Sequence, residues 1–385
     1  MYNYFLVRKK PRVIQMPITS RCNSRCKTCN VWKYHDNIDM DPTALEQALK
    51  DDFFSDVVSV GLNGGEFTLI PNFTDIVRAV LTLPSIRNIH LISNGLFPKR
   101  LFEYLTEAKR LCDKRDVRLN ICISVDGVGP IHENVRGIPN CFGKTRQILD
   151  ELTANHAKYC HGFSAGCTIS KHNVEHIQET EQFLSSYGNL RVEYHCAIPN
   201  KRIKTFDDAD YCVFDDAQKR LLAAEFFFKR YRNAKSAQER FQNFANYHFL
   251  KSDTPHRLTC CDYRNRDVTI DESLNLMLCA TASDVIGNLK EHSATELAHS
   301  PKCKQILKEI CAYCDHCGHY SYHPLNFKGR KALIREELTR NNALHYYHLS
   351  MERNWVKRLM KKTRFRLSLL KQYLRYTYIY LWKLQ

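Results

Sequence analysis

No stretch of this sequence holds the roughly 18 consecutive apolar residues of a membrane-crossing helix. Fourteen glycines and twelve prolines in 385 residues are too few for a collagen-like or low-complexity chain. No segment repeats another, so arrays of short repeats are excluded. The N-terminal MYNYFLVRKKPRVIQM lacks a long apolar core after a basic start, and no signal peptide is expected. What is present is 44% apolar, 25% charged and 11% aromatic, the composition of a folded, soluble protein rather than a disordered one. The length fits one large domain or two to three ordinary ones.

Fifty-seven Lys+Arg against 41 Asp+Glu give a formal charge of +16, a sign that favours anionic partners. Residues 351–385 hold ten of the bases and a single acid, Glu352, so +9 of that charge lies there and the first 350 residues carry +7. Seventeen cysteines are many, yet too sparse for a small stapled secreted scaffold. Reduced thiols in a cytosolic setting point to metal ligation or catalysis.

From residue 12 to about 233, short β-branched runs alternate with amphipathic stretches, as in βα units on a parallel sheet. Strands are expected over 12–18, 57–62, 87–93, 117–125, 162–169 and 190–198, and helices over 42–53, 72–83, 99–112, 143–159 and 173–187. Asp41 is placed to cap the first helix, with Pro42 in its first turn. Six such units make either an open doubly wound sheet or an incomplete barrel, and in both the ligand site forms at the carboxyl ends of the strands. A polar, aromatic helical stretch follows over about 215–250. Seven cysteines then crowd into residues 260–317.

The first strand runs into ITSRCNSRCKTCNVW, where Cys22, Cys26 and Cys29 have the spacing C-x3-C-x2-C. Three thiolates on one loop can hold three corners of a cubane iron–sulfur cluster and leave its fourth iron open. A zinc knuckle would want a fourth ligand, and no His, Cys, Asp or Glu follows Cys29 until His35. The second strand ends in Gly64-Gly65-Glu66, the third in Ser93-Asn94-Gly95 and the fourth in Ser124-Val125-Asp126-Gly127. Four successive strand ends thus deliver thiol or polar groups to one rim.

With these motifs in their order and spacing, residues 12 to about 200 resemble the core domain of radical S-adenosylmethionine (SAM) enzymes. The resemblance implies a partial (β/α)6 TIM-like barrel of the α/β class, with Cys22, Cys26 and Cys29 on a [4Fe–4S] cluster whose open iron is chelated by SAM. It implies that Gly64, Gly65 and Glu66 hold the SAM amine, and that Ser93, Asn94, Ser124 and Asp126 approach the methionine or ribose hydroxyls. Thr168 with Asn173 resembles the fifth-strand cofactor contact, and Arg136 an arginine that reaches the cofactor carboxylate. Many members carry an aromatic residue just before the third cysteine, where this chain has Thr28.

The cysteine-rich segment can fold as a hairpin, VTIDESLNLML, with its turn near 272–274, bringing Cys261 and Cys279 together. A C-x2-C pair, Cys311/Cys314 or Cys314/Cys317, would complete four thiolates. A zinc ribbon would satisfy the same spacing. Beside a radical SAM core the segment resembles the auxiliary-cluster module of the twitch or SPASM type, which implies one auxiliary [4Fe–4S] or [2Fe–2S] cluster. Cys260 competes with Cys261, and Cys303 has no assignment. Cys112, Cys122, Cys141, Cys160, Cys167, Cys196 and Cys212 read as small apolar packing residues.

The expected division is therefore 1–235 core, 236–325 cysteine-rich module and 326–385 basic helical tail. The tail, with Leu367, Leu370, Leu374 and Leu381 in one helical sector beside Lys357, Arg364, Lys371 and Arg375, suits an anionic membrane surface or a helix packed on the barrel. A peripheral place on the inner membrane surface is one reading of it; no recognised nucleic-acid motif accompanies the charge. The activity implied is reductive cleavage of SAM to a 5′-deoxyadenosyl radical that takes hydrogen from a peptide or sugar-type substrate. Net oxidation through the auxiliary cluster and a flavodoxin- or ferredoxin-type reductant complete that expectation. A non-catalytic iron–sulfur carrier or scaffold, and a zinc-stabilised protein that binds nucleic acid or lipid, are the rivals.

Overall fold

The computed structural model describes residues 8–33, 36–205, 209–319, 325–333 and 335–336; the expected helix over 351–385 lies outside them. Six parallel strands, β1 (Val13–Pro17), β2 (Ser59–Asn63), β3 (Asn88–Ser93), β4 (Arg118–Ser124), β5 (Gly162–Ile169) and β6 (Arg191–Cys196), stand side by side in chain order. A doubly wound sheet reverses its strand order at a switch point. Strict succession instead puts successive crossovers on one face, and the sheet is an unclosed, barrel-like arc.

The strand sequences carry the same information. A parallel strand covered on both faces reads as a continuous apolar run. β4 alternates, with Leu119, Ile121 and Ile123 buried and Asn120, Cys122 and Ser124 half-buried on the other face. In β3, Ile89 and Leu91 are buried while His90 and Ile92 are exposed. One face therefore packs on helices and the other stays open. The packed face meets α2 (Phe73–Val80), α3 (Pro98–Asp113) and α5 (Phe142–Asn155) through side chains such as Ile76, Val77, Leu101, Leu105, Ile148 and Leu152. Six of the seven cysteines expected to pack are buried, and Cys122 is half-buried.

Local rules set the helix ends. Before α1 (Pro42–Ala48) the Asp41 carboxylate accepts from Thr43 N at 2.9 Å and Ala44 N at 3.2 Å. The helix stops short of the expected residue 53 because Asp51 caps a separate 3-10 turn, Asp52–Phe54. The stretch 215–250 is two helices, α7 (Ala217–Asn233) capped by Asp216 and α8 (Ala237–Lys251) capped by Ser236, packed through Tyr231 on Phe244 and Phe228 on Tyr247. The second cap, a serine inside a polar run, is what the hydrophobic pattern alone does not reveal.

The cysteine-rich segment extends the same sheet. β7 (Val268–Ile270) pairs parallel to β1, then antiparallel to β8 (Asn275–Met277), which pairs with β9 (Val285–Asn288). The hairpin turn is closed by the Asp271 carboxylate, which accepts from Ser273 N and Asn275 N, with Leu274 at φ 66°. Asp267, before β7, accepts from the backbone N–H of Arg12 at 3.0 Å and Val13 at 3.1 Å, stitching this segment to the start of the barrel. A second small unit comprises Leu258–Cys260 and the described residues from Leu325 on, where Thr259 and Leu325 form an isolated antiparallel bridge.

Candidate cluster and cofactor site

The loop after β1 carries Cys22, Cys26 and Cys29 and is clamped from two sides. On one side Gly65 N donates to Thr19 O and Glu66 N to Arg21 O, both at 2.8 Å. Gly64 has φ +117°, and a Cβ on Gly65 would lie 1.8 Å from Arg21 O, so no other residue fits there without moving the backbone. The glycine pair thus permits close approach of the cysteine loop itself. On the other side the end of α4 (Pro130–Arg136) accepts Lys27 N at Val135 O and Arg25 N at Arg136 O, each at 2.9 Å. Gly137, at φ +65°, completes that contact, since a Cβ would lie 2.3 Å from Arg25 O. Trp32 Nε1 also donates to Cys26 O at 3.2 Å.

Donors face the sulfurs. Arg136 Nη1 is 3.3 Å from Cys26 Sγ, Ser24 Oγ is 3.1 Å from the same atom, and Asn94 Nδ2 is 3.8 Å from Cys22 Sγ. Burial, reinforced by the neighbouring cysteines, pushes the Cys22 thiol up to about 12 and that of Cys29 up to about 11. Metal binding would therefore displace protons from these thiols, and a nearby cation assists that exchange. Burial opposes the charge of Arg136, but Asp126 and the Cys26 and Cys22 sulfurs outweigh it and raise its pKa. Among the described residues no three His, Cys, Asp or Glu side chains converge tightly enough for a single metal ion. Three soft thiols flanked by N–H donors fit an iron–sulfur cluster with one open iron.

The strand ends form two linked networks behind this loop. Glu66, buried at 1% exposure, accepts from Thr68 Oγ1 at 2.9 Å, Ser93 Oγ at 3.0 Å and Asn94 N at 2.7 Å. Burial raises its pKa against those hydrogen bonds. Its side chain thus ties β2 to β3, and Asn94 carries the tie on to Asn23 at 2.8 Å. In the second network Asp126 Oδ2 is 3.0 Å from Arg136 Nε, and Asp126 Oδ1 accepts from Thr168 N at 2.8 Å. Asn173 Nδ2 donates to the backbone oxygens of Asp126 and Thr168, both at 2.9 Å. Ser124, the last residue of β4, is half-buried on the open face.

Two histidines escaped the sequence reading. His132 in α4 accepts from Asp126 N through Nδ1 at 3.2 Å, and His195 Nε2 is 3.1 Å from Thr168 Oγ1. The alternation in β6 was a usable signal for His195, which shares the open face with Glu193. His132 had none, because α4 is a short helix within an expected loop.

In the cysteine-rich segment, Cys261 precedes α9 (Asp262–Asn265), Cys279 follows β8, Cys314 ends α11 (Pro301–Cys314), and Cys317 lies three residues on. Burial lifts the Cys314 thiol to about 12, with Cys261, Cys279 and Cys317 adding to the rise. Burial likewise raises Cys279 and Cys317, and each of them feels Cys261. Backbone N–H groups of Thr281, Ala282 and Ser283 turn to Cys279, and His319 N donates to Cys317 Sγ at 3.4 Å. Cys311 lies one helical turn earlier in α11 and is buried.

Residues 16–184 match the family described as Radical SAM superfamily. No curated protein matches the chain. Among solved structures, anSMEcpe with bound AdoMet is similar with a TM-score of 0.56 and 17% identity, over 85% of this chain and 97% of that one. The anSMEcpe structure with bound AdoMet and Cp18Cys peptide gives 0.55 and 16%, over 85% and 96%. Streptococcus suis SuiB bound to S-adenosylmethionine gives 0.53 and 13%, over 78% and 67%. At these identities the likeness is one of fold. Among the described residues no helix is long and apolar enough to cross a membrane. The family match begins in β1 and takes in the three-cysteine loop, Gly64–Glu66 and the strand ends through β5; over residues 16–184 the chain is similar to the radical SAM superfamily, whose cofactors are a [4Fe–4S] cluster and SAM.

Proposed function

We propose that this radical SAM enzyme oxidises a peptide substrate, with an auxiliary iron–sulfur cluster held by Cys261, Cys279, Cys314 and Cys317. The observation that carries the reading is the second group of thiols, Cys261, Cys279, Cys314 and Cys317, set at or just past the ends of α9, β8 and α11 in the segment whose β7 pairs with β1. Cys261, Cys279 and Cys317 add to the rise of the Cys314 pKa, and Cys261 and Cys279 to that of Cys317. Likeness over most of the chain to anSMEcpe with Cp18Cys peptide supports a peptide rather than a sugar.

When bound, the cluster at Cys22, Cys26 and Cys29 together with SAM supplies reductive cleavage to a 5′-deoxyadenosyl radical able to take hydrogen from an unactivated carbon. The chain's residues prepare the place for it. Arg136 offsets the negative charge of the sulfurs, and Asp126 holds Arg136 in position. Because the Glu66 carboxylate is committed to Thr68, Ser93 and Asn94, the SAM amine falls to the backbone of residues 64–66. Ser124 and Thr168 would contact bound SAM, while Asn173 holds the backbone of Asp126 and Thr168. The open face of β4–β6, with Cys122, Glu193 and His195, receives the substrate.

Anaerobic reconstitution followed by dithionite, SAM and candidate peptides tests the reading. The expected outcome is 5′-deoxyadenosine together with a peptide lighter by two hydrogens. Cys26→Ala should abolish cleavage of SAM, and Cys279→Ala should leave uncoupled cleavage but block the product. Full turnover in Cys279→Ala would remove the second cysteine group from the reaction, and a colourless zinc protein would remove both clusters.

A further inference from the structure

Arg8 lies ahead of β1, with its guanidinium buried against the cysteine-rich segment. Nη2 donates to Tyr263 O at 3.1 Å and to Asp267 O, which fixes the fork beside α9, immediately after Cys261. Nε and Nη1 are buried and have no hydrogen-bond partner among the described residues. A buried guanidinium with two idle donors is costly unless something answers them. The Asp267 carboxylate is already engaged, accepting from Arg12 N, Val13 N and the Arg266 guanidinium. The other anionic partners that Arg8 feels are the sulfurs of Cys303, Cys279 and Cys261.

We propose that Arg8 is a positioning residue for the auxiliary cluster, its idle Nε and Nη1 donors and fixed positive charge serving the cluster's sulfur edge beside Cys261. The inference rests on the auxiliary-cluster reading above. Positive charge and hydrogen bonds to sulfur favour the more negative, reduced state, so Arg8 raises the midpoint potential and makes the cluster a better electron acceptor. The planar fork is what the geometry uses: one nitrogen is pinned by two backbone carbonyls while the others point elsewhere, which a lysine cannot reproduce.

The test is an EPR-monitored redox titration of full-length protein in a Cys26→Ala background, where only the auxiliary cluster remains. Arg8→Met should shift the oxidised-to-reduced ratio at fixed potential at least tenfold toward oxidised, about 59 mV downward for one electron, with iron content unchanged. Arg8→Lys should fall between the two. An unmoved midpoint in Arg8→Met at full iron content would overturn the proposal, as would loss of iron from both variants, which would make Arg8 a scaffold residue. Absence of any cluster in the parent Cys26→Ala protein would overturn the auxiliary reading itself, and that is seen before Arg8 is touched.

Discussion

Arg136 stands between a cysteine sulfur and a carboxylate: Nη1 is 3.3 Å from Cys26 Sγ and Nε is 3.0 Å from Asp126 Oδ2. The same residue's carbonyl accepts Arg25 N and Ser24 Oγ, so one position fixes both the charge and the path of the cysteine loop. A buried pair of this kind is costly to break from one side, because the remaining charge has lost its compensation.

Arg136→Gln should therefore destabilise the metal-free protein by about 3–5 kcal/mol, read by urea denaturation. Adding Asp126→Asn should recover part of that loss, since the stranded carboxylate is then gone. Strict additivity of the two substitutions would contradict the coupling.

Gly65→Ala and Gly143→Ala make a contrasting pair. The first puts a Cβ 1.8 Å from Arg21 O, while a Cβ at Gly143, in α5, meets nothing within 4 Å. Gly65→Ala should lose most of the iron bound on anaerobic reconstitution. Gly143→Ala should bind iron normally and gain up to about 1 kcal/mol from helix propensity. Equal iron content in the two proteins would show that the loop docks without the close approach.

His132 supplies a pH dependence. Nδ1 accepts from Asp126 N, which leaves the proton on Nε2, 3.4 Å from Thr145 Oγ1. Burial first, then the charge of Arg136, lowers its pKa from 6.5 to about 4 against the pull of Asp126. Between those values the unfolded chain binds the proton and the folded chain does not. Its contribution is therefore complete above pH 6.5 and is lost as pH falls toward 4, by about 3 kcal/mol in all at 1.36 kcal/mol per pKa unit. Unfolding free energies of wild type and His132→Gln should converge as pH falls from 7 to 4.5; parallel curves would contradict a neutral buried imidazole.

Cys314 and Cys311 are separated by one helical turn; Cys314 ends the helix, and the neighbouring Cys261, Cys279 and Cys317 add to the rise of its thiol pKa. Cys314→Ser should lose the iron of the second cysteine group and leave about four iron per chain, those of the first cluster. Cys311→Ser should leave the full iron content unchanged. The reverse result would assign the ligand to Cys311.

Much of the site was legible because chemistry and period coincide in the chain. The C-x3-C-x2-C loop, the polar residues closing strands two to four and the hairpin with its turn near Glu272–Leu274 are local patterns, each fixed within a few residues. Arg136 was visible only as a resemblance, and its contacts depend on α4, whose seven residues give little periodic signal. His132 and Arg8 left no trace, since their partners lie on elements that sequence spacing does not bring near. The break between α7 and α8 was hidden because Ser236 caps a helix inside a run that reads as continuously polar and aromatic.

By itself the sequence determined the alternation of strands and helices, the spacing of the three loop thiols and the polar strand ends, because hydrophobic period and motif spacing act over short distances along the chain. Only the tertiary structure decided that the strands succeed one another in an open arc, that Gly64 and Gly65 serve the docking of one loop on another, and that Glu66 turns inward to tie two strands. Those outcomes follow from close packing and from the need of buried polar atoms for partners, which are satisfied between segments distant in sequence.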